Sequence, residues 1–553
     1  MIHLTGAGLT IEQVVAVARG HETVAPLDAD VQARMWASQR WVDAAVKGRT
    51  TIYGVNTGFG PLATTSIAPD ETRKLSRNLI LSCLAGVGDP IPADWVRAMI
   101  LIRANSLAKG YSGVRPVVVE TLIEMLNRGV TPWVPSKGSL GASGDLAPLS
   151  HIAVVLTRDE TGDGGFSGQA YFDGALMSGA DAMARAGLER LVLEAKEGLA
   201  LSNGTTFMAA AGALGVYDAE RLIEHAEMAA ALSFEALLGI TSALHPALHE
   251  ANGQPGQMQV AANLRKLLEG SQLVDSAPHK VQDAYSLRCT PQVLGPVRDT
   301  LAFVRARFTG AINAASDNPL IFVPGMLPGD SKSRQHLRNL PSQVEESPEG
   351  DFVGVGAVST AEPNPEPDVD DTPRGRAVSG GNFHGQGPAM WLDFLSIAVA
   401  EIGDISERRT FRLLDPALNV GLPSMLVPTS GLDSGLMIPQ YTAAALVSDN
   451  KTLAHPDSVD SIPSSANQED HVSMGANAAR HAREIIWNTQ RIIAIEMITA
   501  AQGIDLRPDG PTRLGQGTQR GYAMVREVVK FLDHDRETSG DIERVVGRMG
   551  RDS

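Results

Sequence analysis

Only two cysteines, Cys83 and Cys289, occur in 553 residues, and they lie far apart in the chain. No disulfide framework is expected, and the reducing cytoplasm is the simplest compartment. Aromatic residues are scarce too, at 5%. There is no basic excess: 47 Lys and Arg against 63 Asp and Glu leave a formal charge of −16. Affinity for nucleic acid comes from clustered cations that release counterions from phosphate, so no nucleic-acid partner is expected. No uncharged apolar run reaches membrane-spanning length, so no membrane span is expected. The opening MIHLTGAGLTIEQVV has neither a basic n-region nor a continuous apolar h-region, so no signal peptide is expected. What is present is a globular composition, 43% hydrophobic and 20% charged, with apolar mass for a large core.

Alanine is abundant, and the apolar spacing is helical over long stretches. Leu191 to Leu214, Ala210 to Ile240, Gly387 to Glu407 and Gly475 to Gln502 repeat apolar residues every three or four positions. Several of these are apolar nearly all round, as suits the centre of a bundle. Strand-like alternation is short and local, near Thr51–Val55 and Pro319–Val323. The fold class is therefore mainly α. The chain divides into 1–200, a small N-terminal lid-bearing region with the key loop; 201–322, central helices; 323–376; and 377–553, further central helices and a C-terminal helical region. Segment 323–376 is rich in Pro, Gly, Ser and acidic residues (AEPNPEPDVDDTPRGR). It buries too little apolar surface to offset ordering entropy, and reads as a solvent-exposed, partly disordered insertion.

The segment with chemistry in it is GSLGASGDLAPLSH, Gly138 to His151. Small residues flank Ala142-Ser143-Gly144, and the glycines permit a tightly folded backbone. In a compressed loop the Gly144 amide nitrogen can attack the Ala142 carbonyl carbon and close a five-membered ring. Loss of water from that ring and from the Ser143 side chain leaves 4-methylidene-imidazol-5-one, an electrophile that no ordinary side chain supplies. No external cofactor is then needed. A metal is not expected: the pair at His245 and His249 (HPALH) has Pro246 between its members and no acidic third ligand.

Alone, Ala-Ser-Gly is a common loop. The longer string, however, closely resembles the signature of the histidine/phenylalanine/tyrosine ammonia-lyase and aminomutase family. Five further stretches resemble it in the same order: YGVNTGFG at 53–60, SNGTT at 202–206, QDAYSLRCTPQ at 282–292, SGGNFHG at 379–385 and NQEDHVSMG at 467–475. The resemblance implies a bundle of long central helices and a homotetramer whose active sites draw on more than one subunit. It implies covalent catalysis in which the substrate amine adds to the methylidene carbon built from Ser143. The β-proton and the amine then leave as a trans-α,β-unsaturated acid and ammonia.

The same resemblance distributes the roles. Tyr53 would be the base, on a mobile glycine-rich lid; a phenol ionises near ~10, so the site must favour phenolate. Arg288 would hold the substrate carboxylate with its planar fork of donors. Tyr285 would assist the prosthetic group or amine departure, and Asn203 would hydrogen-bond the carboxylate and the ring carbonyl. Gln282 and Phe383 match further pocket positions. His384 and His471 lie beside pocket motifs but read as structural. Rival readings are a tyrosine or phenylalanine lyase, a 2,3-aminomutase that returns the amine to the β-carbon, and an inactive helical scaffold. Intact Tyr53, Ser143, Asn203, Tyr285 and Arg288 argue against the last.

Substrate selection draws conflicting signals. Glu469 resembles the histidine branch, because a pocket carboxylate can pair with an imidazole N–H and would be left unpaired beside phenyl. Met437 and His384 also resemble that branch. Ser82-Cys83 does not: the histidine branch usually carries Ser-His there, so Cys83 removes a ring-selecting contact. L-Histidine to urocanate remains the favoured reaction.

Overall fold

The computed structural model describes residues 1–162, 165–323 and 375–550. The segment expected to be an insertion falls almost wholly outside the described residues. At its flanks, Leu320–Phe322 pairs antiparallel with Arg376–Val378, with Phe322 opposite Arg376.

Five helices make the frame: α1 (Ala93–Ala108), α2 (Thr206–Ala236), α3 (Thr290–Ala311), α4 (Gln386–Leu414) and α5 (Gly475–Asp505). The first turns of α2 (TFMAAAGAL) are buried on every face. Alanine lets neighbours approach closely there, and Gly212 meets the Phe308 ring of α3 where a Cβ would lie 2.1 Å from it. The α4 and α5 helices pack along most of their length, with α2 against both. Edge-on aromatic pairs, Trp95 with Phe207 and Phe308 with Trp391, tie α1 to α2 and α3 to α4 at ring separations of 5.4 and 5.6 Å. A three-stranded antiparallel sheet is built from Thr131–Pro132, Gln169–Phe172 and Ala175–Ser178. No helix among the described residues is long and apolar enough to cross a membrane.

Two local expectations need correction. Residues 51–55 form turns rather than a strand, because Asn56 and Thr57 side chains bind the Ile52 and Gly54 amides that a ladder would use. The periodic stretch from Leu191 to Leu214 is also broken. One helix ends at Ser202, and α2 starts at Thr206 after Gly204, whose φ is +131°. Apolar spacing carries through such a break because both pieces face one core.

Near the C-terminal ends of α2 and α4, Glu496 of α5 receives Arg409 of α4 in a bidentate pair at 2.5 and 2.8 Å. Ser406 of α4 and Ser233 of α2 donate to the same carboxylate at 2.6 and 2.7 Å. Both charged side chains are fully buried. The pair therefore fixes the register of three helices, whatever it adds to net stability. Removing one partner strands a charge at a cost of roughly 3–5 kcal/mol, whereas replacing both with apolar residues of similar volume costs less. Glu496→Ala should thus lower the melting temperature more than the double change Arg409→Met/Glu496→Leu. The reverse order in thermal unfolding would show that the stranded Arg409 charge is not the dominant cost.

Candidate active site

The N-termini of α2, α4 and α5 converge on the loop of Ala142-Ser143-Gly144. The amide of Gly385, which precedes α4, donates to the Gly141 carbonyl at 2.8 Å. Met474, which precedes α5, packs with Ala142 and Val472. Ahead of α2, Gly204 pairs with Gly144 in a parallel bridge: Asp145 N–H donates to the Gly204 carbonyl at 2.8 Å. Gly144 has φ +74°, and a Cβ there would lie 2.3 Å from the Gly204 backbone. Only glycine fits, for both reasons. The three positive helix ends bring partial charge that favours anions at this point.

Asn203 Nδ2 donates to the Ser143 carbonyl oxygen at 2.7 Å, and that carbonyl would be the exocyclic C=O of the five-membered ring. The other amide atom, Asn203 Oδ1, is buried without a partner. The loop therefore fits the prosthetic group in its donor set as well as its backbone. Beneath it, Asp145 is fully buried and accepts from the Phe207 and Met208 amides at 2.8 and 3.2 Å, closing the first turn of α2. Burial pushes its carboxyl up from 3.8 to about 7, against the pull of those two N–H groups. Arg103, equally enclosed, donates to Thr206 Oγ1 at 2.6 Å and is pushed down to about 10 by desolvation.

A cavity of about 740 Å³ opens over Ala142 and Ser143. Tyr53, Asn203, Phe383 and Glu469 line it, as do His384 and His471. Tyr53 stands on a turn whose own Gly60 N–H donates to the phenol oxygen at 3.2 Å. The turn Gly60–Leu62 lies against Ser465–Asn467, so the two loops meet over the cavity. Glu469 accepts from Ser143 Oγ at 2.5 Å with one carboxylate oxygen and from Ser464 Oγ at 2.7 Å with the other. Three further lining residues had been given no role: Phe59 and Gln468, which sit inside two of the motifs, and Asn318, which lies in none. Asn318 is held by Ser379 and Gly380 across a gap of more than sixty residues, a pairing that no local pattern signals.

The remaining expected residues lie elsewhere. Leu79 lines the cavity where Ser82 and Cys83, one turn on, do not. Burial, with a smaller push from the Glu469 charge, raises the Cys83 thiol above its ordinary range. Gln282, Tyr285 and Arg288 form a separate cluster. Arg288 donates to Gln282 Oε1 at 2.8 Å and lies 4.7 Å over the Tyr285 ring, which is 70% exposed. Lys280 and Asp283, which flank Gln282, bind Leu237 O and Ile240 N just past the end of α2. Asn203 stands at its start, so the 31 residues of α2 separate the two groups by about 45 Å. Met437 is at the far end as well: Gln440, in its helix Met437–Leu453, donates to Glu407, and neighbouring Arg409 reaches Ser286 O. One chain therefore does not assemble the full set. His249 has both ring nitrogens engaged, by Ala243 O and Gln257, and His245 caps the helix Pro246–Asn252. No group of three or more potential metal ligands occurs among the described residues.

This helical frame, with long helices starting at one tight loop, is that of a carbon–nitrogen lyase, as the comparisons with known proteins show. The chain belongs to the aromatic amino acid lyase family, whose model matches residues 9–527. A histidine ammonia-lyase of Treponema denticola is 45% identical over 551 residues, 100% of this chain and 97% of that protein. The crystal structure of histidine ammonia-lyase from Trypanosoma cruzi matches with a TM-score of 0.82 at 37% identity, covering 100% of this chain and 93% of that one. Tyrosine aminomutase from Streptomyces globisporus matches at 0.84 and 35% identity, covering 100% and 97%.

The Asp145 environment has a consequence for stability. With a folded value of about 7 above the ordinary 3.8, the folded chain keeps a proton that the unfolded chain releases as pH rises between them. Stability from this group is full below pH ~4 and is lost progressively toward pH ~7. Asp145→Asn, which cannot ionise, should flatten that part of the melting-temperature profile. Parallel profiles for the two proteins would mean that burial does not govern this carboxyl.

Proposed function

We propose that the chain removes ammonia from L-histidine to give urocanate, using a 4-methylidene-imidazol-5-one formed from Ala142, Ser143 and Gly144. The observation that carries the substrate is the Glu469 carboxylate, 2.5 Å from Ser143 Oγ and lining the cavity. Dehydration of Ser143 would remove one of the two hydroxyls this carboxylate accepts from, and a substrate imidazole N–H can replace it where a phenyl ring cannot. Relatives named histidine ammonia-lyase, 44–45% identical over nearly the whole chain, support the same reading.

When formed, the ring supplies an electrophilic carbon that takes the substrate amine. The chain's own residues do the rest. Asn203 donates to the ring carbonyl, and the convergent helix ends favour negative charge that develops there. Tyr53 takes the β-proton at its phenol oxygen, which the Gly60 amide orients. Phe383 and Leu79 exclude water from the cavity wall. Arg288 binds the substrate carboxylate and Tyr285 assists departure of the amine, with Gln282 beside them, from another subunit of a homotetramer. The 45 Å separation supports this division, as does an apolar face on α3 and α4 where Phe303, Met390, Phe394 and Ile397 are each about 40% exposed.

Incubation with L-histidine, L-tyrosine and L-phenylalanine in turn, with products identified by chromatography and mass, tests the substrate. Urocanate is expected, and activity on tyrosine or phenylalanine with none on histidine would overturn it. Intact mass should find the active chain two waters lighter than its sequence, and Ser143→Ala should leave one of these waters in place and nearly abolish turnover. Full-mass protein with full activity would remove the prosthetic group from the mechanism.

Subunit sharing has its own test. Tyr53→Phe and Arg288→Ala should each be nearly inactive alone. Co-expressed, they should recover up to about a quarter of wild-type activity, since random assembly restores both halves at one site in four. No recovery in purified mixed tetramers would place both groups in one chain's site.

A further inference from the structure

Glu469 is carried on a loop that local sequence does not favour. Ser465, Ala466 and Asn467 have φ of +50°, +52° and +66°, three successive non-glycine residues in the left-handed region. Such a conformation is costly for L-residues and persists only when surrounding contacts over-determine it. Ser464 ties the base of the turn through reciprocal backbone bonds with Glu469, at 2.9 and 3.3 Å. On the C-terminal side, Ser473 Oγ donates to the Gly141 carbonyl at 3.2 Å, and nearer to Glu469 the contact that reaches out of the loop comes from His384. Its Nε2 lies 3.0 Å from the carbonyl oxygen of His471, two residues past Glu469.

The protonation of that ring follows from its neighbours. His384 Nδ1 accepts from the Gln386 backbone N–H at 3.2 Å, in the first turn of α4, so this nitrogen carries no proton. The proton is then on Nε2, which donates to the His471 carbonyl. The His471 ring stacks on His384, with centroids 5.5 Å apart and planes 13° from parallel. One imidazole thus joins the start of α4 to the strained loop, in the wall of the cavity that Phe383 and Glu469 also line.

We propose that His384 is a positioning residue that holds the Glu469 carboxylate against the reacting centre by clamping the His471 carbonyl. The inference rests on the reading of Glu469 as the group that faces the substrate imidazole. Two substitutions separate the nitrogens. Gln places an amide N–H near the site of Nε2 and keeps the cross-loop donor. Asn places an oxygen near Nδ1 and keeps only the turn to Gln386.

The experiment measures kcat/KM for L-histidine in His384→Gln, His384→Asn, Glu469→Gln and the double variant His384→Asn/Glu469→Gln. Rates are normalised to the fraction of chains that intact mass shows to be dehydrated, so that impaired folding or maturation cancels. A hydrogen bond of this kind is worth up to about tenfold, so His384→Asn should fall by roughly that factor while His384→Gln stays within about threefold of wild type. In the Glu469→Gln background, His384→Asn should cost less than about threefold more, because the group it positions is already gone. Equal damage from Gln and Asn, or a full tenfold loss repeated in the Glu469→Gln background, overturns the clamp while leaving the histidine reading intact. Unchanged turnover of histidine in Glu469→Gln overturns the reading of Glu469, and the clamp with it.

Discussion

Two glycines pressed together organise this molecule. Gly144 and Gly204 approach so closely that a single Cβ on the former would fall 2.3 Å from the backbone of the latter. Their bridge brings the carbonyl of Ser143 under the Asn203 amide and delivers the first turn of α2 to the Asp145 carboxylate. The loop is thereby held in a bent form while its neighbours accept hydrogen bonds that a relaxed loop would give to water. Strain of this kind survives only in a rigid surround. The buried groups below it, Arg103 and Asp145 among them, provide one.

The bundle serves that constraint. The α4 and α5 helices begin beside the same loop, and the Arg409–Glu496 pair keeps them and α2 in register some turns away. A helix that slid by one turn would move its positive end about 5.4 Å and take its site residue with it. The loops that bear Tyr53 and Glu469 meet over the top of the cavity.

Much of this was legible in the sequence because the relevant signals are local. Helical spacing over α4 and α5 marks amphipathic or fully buried helices directly, and the glycines around Ser143 announce an unusual backbone. Five of the site residues, Tyr53, Ser143, Asn203, Phe383 and Glu469, sit in separate motifs yet line one cavity. Other features had no local signature. Asn318 reaches its site through contacts with Ser379 and Gly380, and the break at Gly204 interrupts a periodic stretch that reads as one helix. His384 looks like a core histidine until both of its ring partners are known.

By itself the sequence supplied the candidate groups: an Ala-Ser-Gly among glycines, a tyrosine on a glycine-rich turn, an arginine fork and a carboxylate. Residue chemistry and backbone permissiveness are properties of short segments, so they can be read in order along the chain. Tertiary structure decided which of these groups meet. It set Glu469 against Ser143 across more than three hundred residues, and it put Gln282, Tyr285, Arg288 and Met437 at the opposite end of the bundle. Distance through a fold depends on where helices begin and how they pack, and a 31-residue helix separates motifs as readily as its packing joins distant ones.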